Sequence, residues 1–308
     1  MCTALNTNKS LHLFGRTLDF EHSFEEQVIS TPRNFSYGDF LCSLSIIGVG
    51  RMEDGAALYF DGMNESGLCG AGLNFPTEAV YHSARSGCTN LRSYQLLPYI
   101  LGRCRSLSEA REELKRINVT PESLSPLLKA TPLHWIFADS EGALTVESVK
   151  DGLRIYENRV GVLTNAPGFD FHEKSLIAYT HLSAAQPENR SGLRTDKPYS
   201  RGMGAFGLPG DFSSTSRFVR AAFLLENSRS DGSTDGEISR FFHVADSVSV
   251  PLGVMLSDLG EPICTRYTCC ACPRRLTYYL TTYHNRQPIA FPLDPSLSHP
   301  TTHPLYSK

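Results

Sequence analysis

The sequence has no apolar run near the roughly 18 residues that a membrane-crossing helix requires, no long run of lysine and arginine, and no internal repeat or low-complexity tract. The first absence argues against a spanning segment. The second argues against a nucleic-acid-binding surface, and the third against a solenoid or fibrous protein. Neither sign of charge prevails, with 29 basic and 32 acidic residues giving a net charge of −3. The N-terminus, Met1-Cys2-Thr3-Ala4, lacks the basic and apolar regions of a secretory leader. The expected location is therefore the cytoplasm, where the nine cysteines, an odd number, read as reduced thiols. What the chain does have is a globular composition, 41% hydrophobic and 20% charged over 308 residues. No linker is visible, which predicts one domain over 2–293 and a proline-bearing tail over 294–308.

Strand signals dominate both ends. Residues 2–6 and 11–14 read as a hairpin, 44–49 and 57–60 as apolar strands, and 276–283 as a late aromatic strand. Residues 133–138, 144–149, 153–156 and 160–164 read as a four-strand meander, with turns at Glu141-Gly142, Asp151-Gly152 and Asn158. Helical spacing appears over 91–104, where Pro98 is expected to kink the helix. Ser106 and Glu109 resemble a capping box ahead of a stripe of Leu107, Ala110, Leu114 and Ile117. Helices are also expected over 216–225 and 238–248. Strand blocks alternating with helix blocks predict an α+β fold with antiparallel sheets.

Cys2 is unusual by position. Methionine is normally removed before a small residue, and cysteine qualifies. The chain would then start with an α-amine of intrinsic pKa about 7.7–8.0, a usable base, on the carbon that bears a nucleophilic thiol. Phe14-Gly15-Arg16-Thr17-Leu18-Asp19 follows the first hairpin and can return Arg16 and Asp19 beside Cys2. The guanidinium would favour thiolate and the carboxylate would hold the terminal ammonium.

With these residues in view, the sequence resembles the choloylglycine hydrolases, the family of bile salt hydrolases and penicillin V acylases. The resemblance starts at Met1-Cys2-Thr3-Ala4 and Phe14-Gly15-Arg16-x-x-Asp19. It continues through Asp61-Gly62-Met63-Asn64-Glu65-x-Gly67-Leu68, Ala71-Gly72-Leu73-Asn74-Phe75, Leu133-His134-Trp135 and Gly161-Val162-Leu163-Thr164-Asn165. Gly207-Leu208-Pro209-Gly210-Asp211, Ser216-Arg217-Phe218 and Phe241-Phe242-His243 complete it. It implies a four-layer αββα sandwich with Cys2 as nucleophile and its amine as base. Arg16 and Asp19 would sit beside it, Asn74 would contribute to an oxyanion hole, and Asn165 and Arg217 would complete the site. The implied substrate is a conjugated bile acid, with penicillin V or a related N-acyl amide as the alternative, and a non-catalytic binding protein on this scaffold as the non-enzymatic one. No cofactor is implied, and the implied assembly is a homotetramer. The resemblance also implies that the loop Tyr199-Ser200-Arg201-Gly202 varies with head-group preference, with a lean toward taurine. Both head groups are anions, so charge alone does not discriminate between them.

Other patterns carry less. Gly202-x-Gly204-x-x-Gly207 has no strand before it and no helix opening at it, so it does not predict a dinucleotide site. Cys264, Cys269, Cys270 and Cys272 lack the paired spacing of a zinc site. Cys42 and Cys69 read as small core residues. His134 and His243 read as core histidines, while His299 and His303 share their tail with three prolines and read as solvated. No metal is predicted.

Overall fold

A computed structural model describes residues 1–123, 130–194 and 200–306. Two antiparallel sheets lie face to face. In the smaller, the order is Val162–Leu163, then Cys2–Thr7 (β1), Leu13–Phe20 (β2), Cys264–Cys272, Thr277–Thr282 and Ile289–Pro292. The larger runs from Gly152–Glu157 through Gly142–Val149, Leu133–Asp139, Cys69–Asn74, Asp61–Asn64, Ile46–Glu53 and Gln27–Thr31 to Thr301–Pro304. The helices Ser93–Arg103 (α1) and Leu107–Leu114 (α2) cover the outer face of the larger sheet. Beyond Phe169–Ser175 (α3), the helices Ser214–Asn227 (α4) and Thr234–Asp246 (α5) cover the smaller sheet. These are the four αββα layers.

The layering explains the strand composition. An antiparallel strand with one wet face alternates apolar and polar residues. β1 instead is buried at all six positions, because one face meets the larger sheet and the other meets α4. Two apolar clusters follow. One fills the space between the sheets and under α4 and α5, including Phe14, Leu73, Phe218 and Phe241. The other lies between the larger sheet and α1 and α2, around Leu96, Ile100, Trp135 and Phe137. Gly15 lies within β2. A Cβ there would come 1.9 Å from the Cys269 carbonyl oxygen, so the neighbouring strand can approach only a glycine.

Several expectations need correction. The first hairpin forms, but its second strand runs to Phe20. The meander has three strands, since Val162–Leu163 crosses to the smaller sheet and pairs with β1. Ile117 belongs to the strand Ile117–Thr120, not to the stripe of α2. The capping box is half formed: Ser106 Oγ accepts from Glu109 N at 3.2 Å, while Glu109 Oε2 reaches past Ser106 to Arg105 N at 2.7 Å. α4 and α5 start earlier than expected, at caps where Ser213 Oγ accepts from Ser216 N and Ser233 Oγ from Gly236 N. Their polar first turns carry no apolar period. His134 is fully buried as expected, but His243 is exposed on α5. The segment after Asp294 returns to the body, where Thr301–Pro304 pairs with Gln27–Thr31.

Candidate active site

The register of β1 and β2 sets the site. Cys2 lies opposite Leu18 and Ala4 opposite Arg16. Side chains alternate faces along a strand, so Cys2 and Arg16 share the face toward the larger sheet. Asp19 turns to the other face, toward α4. Arg16 is 1% exposed, and its Nη1 donates to the Gly72 carbonyl at 2.8 Å and the Phe60 carbonyl at 3.4 Å. Its Nε donates to the Thr17 carbonyl at 3.2 Å. Burial disfavours this charge, but Cys2, Tyr267, Asp61 and Cys269 outweigh that and hold the guanidinium above its ordinary pKa.

Asp19 is fully buried and accepts from Thr265 Oγ1 at 2.6 Å and Thr17 Oγ1 at 3.3 Å. Its backbone N–H donates to the Met1 carbonyl at 2.8 Å, and its carbonyl accepts from the terminal ammonium of Met1. Met1 thus extends the β1–β2 pairing by one residue.

Asn165 joins the remaining members. Its Oδ1 accepts from Cys2 N at 3.0 Å and from Arg217 Nη2 at 2.8 Å, and its Nδ2 donates to the Asn74 carbonyl at 2.7 Å. Asn165 is itself held from behind. Its backbone N–H donates to Ser214 Oγ at 2.9 Å, and its carbonyl accepts from Ser214 Oγ at 3.0 Å and lies 2.9 Å from His172 Nε2. Burial pulls the His172 imidazole below its ordinary pKa, which favours the neutral ring. Arg217 is fully buried near the start of α4, and its Nη1 donates to the Cys2 carbonyl at 2.5 Å and Thr3 Oγ1 at 2.6 Å. Burial lowers its pKa while Asp19 and Cys2 work against that shift. These contacts answer why a guanidinium is tolerated near a helix N-terminus, where the dipole does not favour it.

Cys2, Arg16, Asp19, Asn74, Asn165 and Arg217 therefore converge. The loop does not join them: Ser200, Arg201 and Gly202 are exposed, and the Ser200 carbonyl accepts from Gln186 Nε2 at 2.6 Å. Tyr199 lies outside the described residues. Sequence reading missed Thr265, Ser214 and His172, whose lone hydroxyls and ring carry no spacing signal. It also missed Asp61 with Tyr267 and Tyr278, although Asp61 opens one of the quoted blocks. The nine cysteines are free thiols, and the late four lie buried in one strand. Among the described residues, the single group with metal-ligand geometry is Glu21, His22 and Glu261 at the surface. None of the described helices is long and apolar enough to cross a membrane.

The αββα sandwich, with Cys2 at a strand end flanked by two buried guanidiniums and an asparagine, has the plan of the class of α+β N-terminal-nucleophile amide hydrolases. The family model for linear amide C–N hydrolases of the choloylglycine hydrolase family matches residues 2–297, and the chain belongs to that family. The bile salt hydrolase/transferase of Lactiplantibacillus plantarum is 40% identical over 293 residues, covering 93% of this chain and 90% of that one. A mutant conjugated bile acid hydrolase from Clostridium perfringens superposes with a TM-score of 0.90 at 35% identity, over 98% of this chain and 96% of that one. A penicillin V acylase from Agrobacterium tumefaciens shares the fold, with a TM-score of 0.71 at 20% identity.

Proposed function

We propose that this protein hydrolyses the amide bond of glycine- and taurine-conjugated bile acids, with Cys2 as nucleophile once Met1 has been removed. The carrying observation is the placement of Cys2 N, 3.0 Å from Asn165 Oδ1 in a site that also holds Arg16, Asp19 and Arg217. With Met1 gone, that nitrogen is a free amine. It takes the thiol proton as sulfur attacks the amide carbonyl. The tetrahedral oxyanion is met by the Asn74 amide, which makes no side-chain hydrogen bond to another described residue; loss of such a donor elsewhere costs about 3 kcal/mol of barrier. Collapse passes the proton from the ammonium to the leaving glycine or taurine nitrogen and leaves a thioester. The same amine then deprotonates water, whose attack releases the bile acid and restores the thiol. Asn165 holds the amine in register, and Arg217 holds Asn165.

Incubation with glycocholate and taurocholate, with penicillin V in parallel, tests this reading. Free glycine and taurine are expected, and Cys2→Ala should release neither. Cleavage of penicillin V alone would move the substrate to the acylase class, and no cleavage of any would leave a binding protein. Ser200, Arg201 and Gly202 are proposed to set head-group preference, so Arg201→Ala should change the ratio of the two kcat/KM values. We further propose a cytoplasmic homotetramer, in line with the family resemblance. No cofactor enters any step.

A further inference from the structure

His134 and Glu147 are buried cross-strand neighbours in the larger sheet, on Leu133–Asp139 and Gly142–Val149. The imidazole stacks on Phe75, with ring centroids 4.2 Å apart and planes inclined by 9°. Its Nδ1 lies 3.2 Å from Glu147 Oε1, and its Nε2 lies 2.9 Å from the Thr164 carbonyl oxygen, just past Val162–Leu163 of the smaller sheet. A carbonyl can only accept, so Nε2 is the donor. The same Glu147 oxygen accepts the backbone N–H of Phe169, at the start of α3, at 2.9 Å. From α3, His172 Nε2 meets the next carbonyl along the chain, that of Asn165, at 2.9 Å. Between the two carbonyls, the Asn165 N–H donates to Ser214 Oγ at 2.9 Å. Both peptide planes that flank the Asn165 Cα are thus held, and they set where its side chain points. A buried histidine–carboxylate pair is costly compared with apolar packing. No amide-hydrolysis step uses it directly.

We propose that His134 is a positioning residue for amide hydrolysis and that Glu147 anchors two arms that fix Asn165. One arm runs through His134 to the Thr164 carbonyl, the other through α3 and His172 to the Asn165 carbonyl. The inference rests on the reading of Cys2 N as the catalytic amine. Asn165 Oδ1 accepts from that nitrogen at 3.0 Å, and Asn165 Nδ2 donates to the Asn74 carbonyl at 2.7 Å. A tilt of the peptide plane between Thr164 and Asn165 swings both ends of the side chain away from these partners. His134 therefore acts through the backbone, at one remove from the reacting atoms, and a small displacement there is felt at the amine. A histidine that only filled volume would be replaced equally well by phenylalanine, whose ring can keep the stack on Phe75. The distinctive consequence is the reverse order: the ring without its donor fails, whereas a donor without the ring succeeds.

The test compares His134→Phe with His134→Gln, whose side-chain amide offers an N–H in place of Nε2. On glycocholate, His134→Phe is expected to lower kcat by about 10- to 100-fold with KM changed by less than about twofold, and His134→Gln to recover most of kcat. A second measurement needs no turnover. Hydrogen exchange, followed by mass, should be about tenfold faster over residues 164–169 in His134→Phe, the size of one lost hydrogen bond, and slow again in His134→Gln. Peptides from β1 should exchange as in the wild type. Unchanged kcat in folded His134→Phe, or equal losses in the two variants, overturns the proposal. Should His134→Phe not fold, His172→Phe cuts the other arm alone. The same loss of kcat at constant KM and the same faster exchange are then expected, and their absence is equally decisive. Wild-type protein that cleaves neither glycocholate nor penicillin V removes the hydrolase reading and leaves the exchange comparison to decide the two arms. An active wild type with unchanged His134→Phe removes the role of His134 alone.

Discussion

At the scale of single residues, the site is a set of charges placed where burial would ordinarily forbid them. Arg16 and Arg217 are 1% and 0% exposed; Arg16 spends its N–H groups on backbone carbonyls, and Arg217 on backbone carbonyls as well as on side chains. Arg16→Ala should move the pH dependence of Cys2 alkylation upward, because the thiolate loses a buried cation. An unmoved profile would remove Arg16 from the assigned role. Much of this was legible in the sequence because Arg16, Asp19, Asn74, Asn165 and Arg217 sit in multi-residue blocks. Their supports were not. Thr265 reaches Asp19 from 246 positions away, and a lone threonine in a strand carries no mark of the carboxylate it will face. His172 was passed over for the same reason, since its task is to hold the Asn165 carbonyl.

At the scale of elements, β1 is both a structural strand and the carrier of the proposed nucleophile. Its nitrogen at Cys2 already lies beside Asn165, while Met1 occupies the added pairing position. Placing one bulky residue between Met1 and Cys2 should block methionine removal and leave an amide without useful basicity. Activity should then fall by at least about 10²–10⁴, the usual value of general acid–base help. Mass spectrometry would establish that the extension is retained, and full activity in that variant would sink the amine mechanism. Strand and helix types were readable because apolar runs and helical periods are local. Sheet membership was not: Val162–Leu163 follows three meander strands in the chain yet pairs with β1, as the Asn158 side chain caps the turn through Gly161 N at 2.9 Å and Val162 O at 2.9 Å. The starts of α4 and α5 were misplaced because serine caps lie outside the apolar pattern.

At the scale of the whole molecule, a half-buried and a buried histidine couple the fold to acidity. Burial pulls His12 down to about 4 from an ordinary 6.5, with Asp139 opposing, and the burial of His172 acts in the same direction. The unfolded chain therefore takes up these protons first. Stability is at its full value above about pH 6.5 and declines as pH falls toward 4. Urea midpoints at pH 7, 5.5 and 4.5 should trace that decline, and His12→Gln should flatten part of it; an equal slope in the variant would contradict the lowered pKa of that half-buried ring. The layered plan has one more consequence, a matter of time during synthesis. β1 is made early, but its partners at Asn165 and Arg217, and the strand Cys264–Cys272 that pairs with β2, are made long afterwards. At about 5–20 residues per second, the N-terminus waits for tens of seconds with no walls around it. An aminopeptidase can reach Met1 in that interval, before Asn165 and Arg217 close around the residue whose nitrogen its removal would set free.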